Sequence, residues 1–360
     1  MNIQIATTRL ASATVIACAL IAGCNSESTS LNTPIEDTPD TGPLLDPNQA
    51  PTAANACLQD AVTGGNLIGQ LDQHAEDPDG DALQFALSSN AQKGTVEIDL
   101  ASGQFTYRPT TSERGYSDYF TYTVTDSDGA TAEATMELVV GERRIMPFGD
   151  SITAGVVYYS GATGDRPLIP NRVGYRKRLN EALRADGYPI DFVGSEQAGA
   201  AAGLADSDHQ GHPGFKTAQL TANVGAWLDA NPADVMLIHV GTNDLSRNAA
   251  PIEQLLTAIT NWQTLNHPVE LLVATIIDHH ADTFWDDVVE DFNADLRQRL
   301  ETNWPDVTLV DQYAALDNVT HMSSLLRDTV GLHPNGAGYR NMSETWFDSL
   351  TASAAVAKCG

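Results

Sequence analysis

Three short stretches of this chain hold the residue types that an ester-cleaving site requires. Gly149-Asp150-Ser151-Ile152-Thr153 follows an apolar run, Gly241-Thr242-Asn243-Asp244 follows a second, and Asp328-Thr329-Val330-Gly331-Leu332-His333-Pro334-Asn335 comes far downstream. A hydroxyl is a poor nucleophile until a base accepts its proton, so a serine and a histidine form a working pair, with an asparagine amide to steady the oxyanion. Each residue alone has a plainer reading, Ser151 as a helix N-cap and Asn243 or Asp244 as a turn former. Their combination points to a serine hydrolase that attacks through Ser151 and uses His333 as base. His209, His212, His279 and His280 lack the spacing of a closed zinc set, and no cysteine joins them. No metal is therefore expected in the catalytic site, and no cofactor is required. Trp285 and Tyr158 are candidates for the acceptor side, although core packing is the commoner use of such residues.

These stretches need elements that bring them together. After Gly141, residues 144–148, 190–194, 235–240, 271–277 and 307–310 read as buried strands, and 175–185, 218–228, 252–262, 287–300 and 337–350 as amphipathic helices. The alternation predicts an α/β domain over 142–360, a mostly parallel sheet with helices on both faces. Ligands bind such sheets outside the carboxyl ends of the strands, which is where Ser151 and Asn243 fall.

The 360 residues carry a formal net charge of −28, which disfavours nucleic acid and anionic lipid as partners of the folded part. Residues 1–23 have one charge, Arg9, before the apolar segment 10–22, which is too short to span a bilayer comfortably. The segment ends in Leu20-Ile21-Ala22-Gly23-Cys24, which resembles a bacterial lipobox. That resemblance implies a signal peptide over 1–23, lipid attached to Cys24 and a membrane tether. With Asn25 next, similarity to enteric lipoproteins points to the outer membrane of a Gram-negative bacterium. Residues 24–51, rich in Ser, Thr, Pro, Asp and Asn, read as a disordered tether. Of the four cysteines, Cys57 and Cys359 remain as candidates for one bridge, the alternative being two free thiols.

Residues 52–141 alternate with period two at 83–87, 94–98, 105–107, 120–124 and 134–139, separated by Asp, Gly and Asn turns, which predicts a small all-β sandwich. Its Asp77-Pro78-Asp79-Gly80-Asp81 turn, the 103–109 stretch and the Asp126-Ser127-Asp128-Gly129 hairpin resemble bacterial cadherin-like or Ig-like modules. Asp77, Asp79, Asp81, Asp126 and Asp128 are candidate calcium ligands; the alternative is that they only shape turns.

Residues 144–352 resemble the SGNH, or GDSL-type, hydrolases. Ser151 matches the nucleophile block, Gly214 in Gly211-His212-Pro213-Gly214 the second block, Asn243 the third, and His333, followed by Pro334 to Tyr339, the last. The resemblance implies a three-layer, flavodoxin-like domain and an oxyanion hole made by the Ser151 and Gly214 backbone N–H groups and the Asn243 amide. Residues 192–195 and 206–214 look most like the acetylxylan esterases of carbohydrate esterase family three, which implies deacetylation of a polysaccharide. One position departs from the pattern. The orienting acid normally stands three residues before the histidine, where this chain has Val330, and Asp328 lies five before it. Either Asp328 completes a triad or a backbone carbonyl orients the imidazole. A thioesterase or lysophospholipase of the same fold is the alternative activity. A surface adhesion lipoprotein is the non-enzymatic one, and it gives no reason to keep serine, asparagine and histidine together.

Overall fold

The computed structural model describes residues 47–60, 65–156, 169–278, 283–316, 320–322 and 332–360. The leader, Cys24 and nearly all of the expected tether lie outside these residues, as do Tyr158, His279, His280 and Asp328.

The strand-rich part contains β1 (Thr52–Ala53), β2 (Ala56–Asp60), β3 (Leu67–Gln70), β4 (Ala75–Glu76), β5 (Gln84–Ser89), β6 (Gly94–Ile98), β7 (Gln104–Pro109), β8 (Tyr116–Thr125) and β9 (Thr131–Val140). One sheet runs in the order β2-β9-β8-β5, the other β3-β7-β6, and β1 pairs with β4. Strict alternation of buried and exposed residues along β8 turns Phe120, Tyr122 and Val124 inward against Phe105 and Tyr107, the core the period-two pattern predicts. The module starts earlier than residue 52, because Asn48 bonds Asp126 and Gln49 bonds Asp79.

Only Gly141 and Glu142 separate β9 from β10 (Arg143–Gly149), the central strand of the second part. The others are β11 (Ile190–Phe192), β12 (Glu196–Gln197), β13 (Asp208–Gly211), β14 (Val235–His239), β15 (Glu270–Ala274) and β16 (Thr308–Val310). The order is β12-β13-β10-β14-β15-β16, with β11 beside the start of β10 and β13 beside its end. All pairs are parallel except β12 with β13.

The helices are α1 (Arg176–Ala185), α2 (Thr217–Ala230), α3 (Ala250–Gln263), α4 (Thr283–Asn303), α5 (Gln312–Ala315) and α6 (Gly336–Ala352). Alternate residues of the strands divide between two cores. Met146, Phe148, Met236 and Ile238 meet α2, α3 and α4, whereas Ile145, Val235, Leu237 and Leu272 meet α1 and α6. A sheet covered on both faces explains why β14 is apolar and buried almost throughout.

The expected strand 271–277 stops at Ala274. Thr275 N–H makes the last bond to β16, at Val310 O, and beyond it the Asn293 side chain takes both Ile276 N–H and Ile276 C=O, so the next backbone groups cannot continue the pairing.

The two parts meet through named bonds. Cys57 and Cys359 form a disulfide, Gln59 Nε2 donates to Gly187 O, and Arg143 joins Arg114 O to Ala355 O.

Candidate active site

The Ser151 turn is set by the way β10 runs into it. At Gly149 a Cβ would lie 2.3 Å from His239 O, so only glycine lets β10 and β14 stay paired up to the point where the chain leaves the sheet. Asp150 then organises the turn: Oδ1 accepts from Ile152 N–H at 2.9 Å and its carbonyl from Ala154 N–H at 3.0 Å. Ser151 is buried to 7% exposure at the carboxyl end of the central strand.

His333 arrives from the other end of the domain. Asn335 Oδ1 caps α6 by accepting from Ala337 and Gly338 N–H, while Asn335 Nδ2 donates to Thr320 O and Met322 O. Tyr339 OH donates to Val156 O at 2.6 Å, fastening the first turn of α6 to the end of the nucleophile turn. The result is His333 Nε2 at 2.9 Å from Ser151 Oγ, although the two are 182 residues apart. That is hydrogen-bond reach for a base and its nucleophile.

Asn243 sits in the short turn Thr242–Asp244 that follows β14. Its Nδ2 donates to Phe215 O at 3.0 Å and to Asp150 Oδ2 at 3.3 Å, so this side chain ties the nucleophile turn to the 212–215 turn. Gly214 has φ +82°, a left-handed conformation, and the space where a Cβ would project is open. Neither Ser151 N–H nor Gly214 N–H has a hydrogen-bond partner among the described residues. The structure thus gathers Ser151, His333, Gly214 and Asn243 into one region. Asp328 is outside the described residues.

Burial pushes the Asp150 carboxyl up to about 6, opposed by the Ile152 N–H bond and the nearby His333. Asp150 thus braces the turn from a buried position. Asp244 has a different duty: it accepts from Thr217 N–H and Thr217 OH at the start of α2.

The remaining histidines do not converge. His209 is buried, with Nδ1 accepting from Gly211 N–H, and burial holds it neutral. His212 stacks between Phe215 and Trp227 and contacts Gln210. Among the described residues no group of three or more His, Cys, Asp or Glu is placed to hold a metal. Of the calcium candidates, Asp77 accepts from Asp79 and Asp81 N–H, Asp126 accepts from Asp128 and Ala130 N–H, and Asp81 accepts from Ser127 OH.

Arg176 was not singled out by sequence. Fully buried, it donates to the carbonyls of Thr153, Ala154, Arg172, Ala198 and Ser207, so one guanidinium holds the nucleophile turn against the loop before β13. Its only sequence signal is an arginine on the apolar side of α1, in register with Leu179 and Leu183.

The model of the GDSL-like lipase/acylhydrolase family matches residues 148–340, a stretch that contains all four residues of the cluster and more than half of the chain. The chain belongs to the GDSL-like lipase/acylhydrolase family. Residues 48–139 match a bacterial Ig domain. Among solved structures, this GDSL-family chain is similar to a family 3 carbohydrate esterase of Clostridium thermocellum, with 27% identity over 59% of this chain and 96% of that one and a TM-score of 0.48. It is similar to a carbohydrate esterase family 3 protein from Talaromyces cellulolyticus, with 23% identity over 58% and 97% and a TM-score of 0.45. A G-D-S-L family lipolytic protein of Veillonella parvula shows 19% identity over 58% and 98%, with a TM-score of 0.39. No curated protein matches. Family membership makes this GDSL-family protein an ester hydrolase with an Ig-like module before it.

Proposed function

We propose that the protein removes O-acetyl groups from a polysaccharide such as xylan through an acyl-enzyme. The observation that carries the reading is the 2.9 Å contact between His333 Nε2 and Ser151 Oγ. His333 takes the hydroxyl proton as Oγ adds to the acetyl carbonyl. The resulting oxyanion receives hydrogen bonds from Ser151 N–H and Gly214 N–H, and from Asn243 once its amide gives up the longer bond to Asp150. His333 then gives the proton to the departing sugar hydroxyl, leaving acetyl-Ser151. Water, deprotonated by the same imidazole, attacks the acyl carbon; acetate leaves and Oγ recovers its proton. Asp328 is the proposed orienter of His333.

The acetyl preference rests on the likeness of the 192–195 and 206–214 segments to carbohydrate deacetylases and on the acidity of the chain, which disfavours anionic lipid. The test compares acetylated xylan, p-nitrophenyl acetate and p-nitrophenyl palmitate, with Ser151→Ala as control. Faster palmitate than acetate cleavage would overturn the deacetylase reading in favour of a lipase. With Asp328→Ala, near-full turnover beside an inactive His333→Ala would leave a dyad oriented by a backbone carbonyl. The proposed location is the outer membrane, through lipid on Cys24; a native mass without diacylglycerol would remove the anchor. Calcium in the Ig-like module is tested by calorimetry, where an unchanged melting temperature on adding the ion removes it.

A further inference from the structure

A cavity of about 500 Å³ opens beside the nucleophile turn. Its floor is glycine: Gly155, four residues after Ser151, rests against Gly174 so closely that a Cβ on Gly155 would meet Gly174 N at 2.4 Å. One wall is α1, with Lys177, Arg178 and Glu181; the other is the first turn of α6, with Arg340 and Tyr339. Three of the chain's 19 Lys and Arg residues therefore face one recess, against a single carboxylate, in a protein of net charge −28.

The cations differ in how far they are committed. Lys177 Nζ donates to Ala202 O at 2.8 Å and lies 3.8 Å from Glu181. Neither the Arg178 nor the Arg340 guanidinium has an ion-pair or hydrogen-bond partner among the described residues. Both guanidiniums line the same recess from facing helices, and neither has a fixed counter-ion among the described residues. A planar anion in the recess would supply that counter-charge and accept paired N–H bonds. The start of α6 is not the attractor, because Asn335 already takes Ala337 and Gly338 N–H.

We infer that this cavity binds the carboxylate of an acidic sugar on the substrate chain, so that the esterase prefers acetyl groups near uronic acid residues. The inference rests on the polysaccharide reading above and narrows its substrate class. The overall charge keeps polyanions at a distance, while the local cations act only within about one Debye length, near 8 Å at physiological ionic strength. A sparsely decorated neutral polymer satisfies both conditions better than a fully charged one. The cavity shares Gly155 with the nucleophile turn, and Tyr339, on its other wall, bonds that turn at Val156 O, so the recess adjoins the end of the turn that carries Ser151.

The test uses the full chain. Acetylated glucuronoxylan is compared with the same polymer after enzymatic removal of its uronic acids, for the wild type and for Arg178→Gln/Arg340→Gln. The wild type is expected to show kcat/KM roughly tenfold higher on the acidic polymer, as expected for two charge-assisted contacts, and the preference shrinks with added sodium chloride. The double variant loses the preference yet cleaves p-nitrophenyl acetate at the wild-type rate. Equal wild-type rates on both polymers, or a preference that survives in the double variant, would overturn the inference. If p-nitrophenyl acetate is cleaved but neither polymer is, the polysaccharide reading fails. NMR titration then decides the site by itself. Shifts at Gly155 and Ala337 on adding glucuronate, absent in the double variant, keep the acidic-sugar pocket; no shifts, or equal ones with inorganic phosphate, end it.

Discussion

His239 ends β14 fully buried, with both ring nitrogens lacking any hydrogen-bond partner among the described residues, and burial pushes its pKa down to about 4. An unfolded chain protonates this ring near its ordinary value of about 6.5, so the stability it contributes is present above that pH and is lost as pH falls from about 6.5 towards 4. Asp150, raised to about 6, works the other way: its contribution favours the folded state at low pH and is lost as pH rises from the ordinary carboxylate range through 6. His239→Leu, which removes two unsatisfied buried nitrogens, is expected to raise stability at pH 5 by about 1–3 kcal/mol and to flatten the acid decline. Thermal melts between about pH 4.5 and 7 check this, and an unchanged slope would show that the decline has another source. Removing the proposed oxyanion donor in Asn243→Ala is expected to lower kcat about 100- to 1000-fold with little change in KM. Single-turnover acetylation of Ser151 measures that directly. Ser151, Asn243 and His333 were legible because a reactive residue type after an apolar run is a strong local signal. Arg176 was not, since its place on the apolar side of α1 gives no hint of the five carbonyls that satisfy it. Arg176→Lys keeps the charge but cannot span those carbonyls, and a fall in both melting temperature and kcat is expected. Loss of stability with kcat intact would show that the arginine holds the loop but not the turn.

At the level of elements, the alternation of strands and helices predicts five of the sheet's strands and five helices close to where they stand. It misses β12 and β13, because Asp208-His209-Gln210-Gly211 buries polar residues and so carries no hydrophobic period. It also misses α5, a single turn fixed by Asp311 accepting from Ala314 N–H. The start of α4 lies at Thr283, four residues before the apolar spacing becomes regular. Pairing of β10 with β14 depends on one missing side chain. Gly149→Ala would push a methyl into His239 O, and a stability loss of about 2 kcal/mol or more with near-complete loss of turnover is expected. Denaturant unfolding and p-nitrophenyl acetate assays separate the two effects. Full activity in the Gly149→Ala variant would mean that the strands part without disturbing Ser151.

For the molecule as a whole, the sequence leaves Cys57 and Cys359 as either a bridge or two thiols, because nothing local brings together residues 302 apart. Three-dimensional packing decides it: β2 lies beside β9, the backbone reaches β10 within two residues, and the segment after α6 returns to the seam, where Cys359 N–H donates to Gln59 Oε1. In the chain-entropy account a closed loop of that length stabilises by up to about 6 kcal/mol. Cys57→Ser/Cys359→Ser is expected to lower the melting temperature and to let the Ig-like part melt separately from the catalytic part in calorimetry. A single unshifted transition would assign the cohesion to the other seam contacts.

The same clasp changes what a protease can achieve. A cut in any loop between positions 57 and 359 severs the polypeptide but releases nothing, for each fragment still hangs from the other by sulfur. Nicked enzyme would run as one band until a thiol is added and as two afterwards.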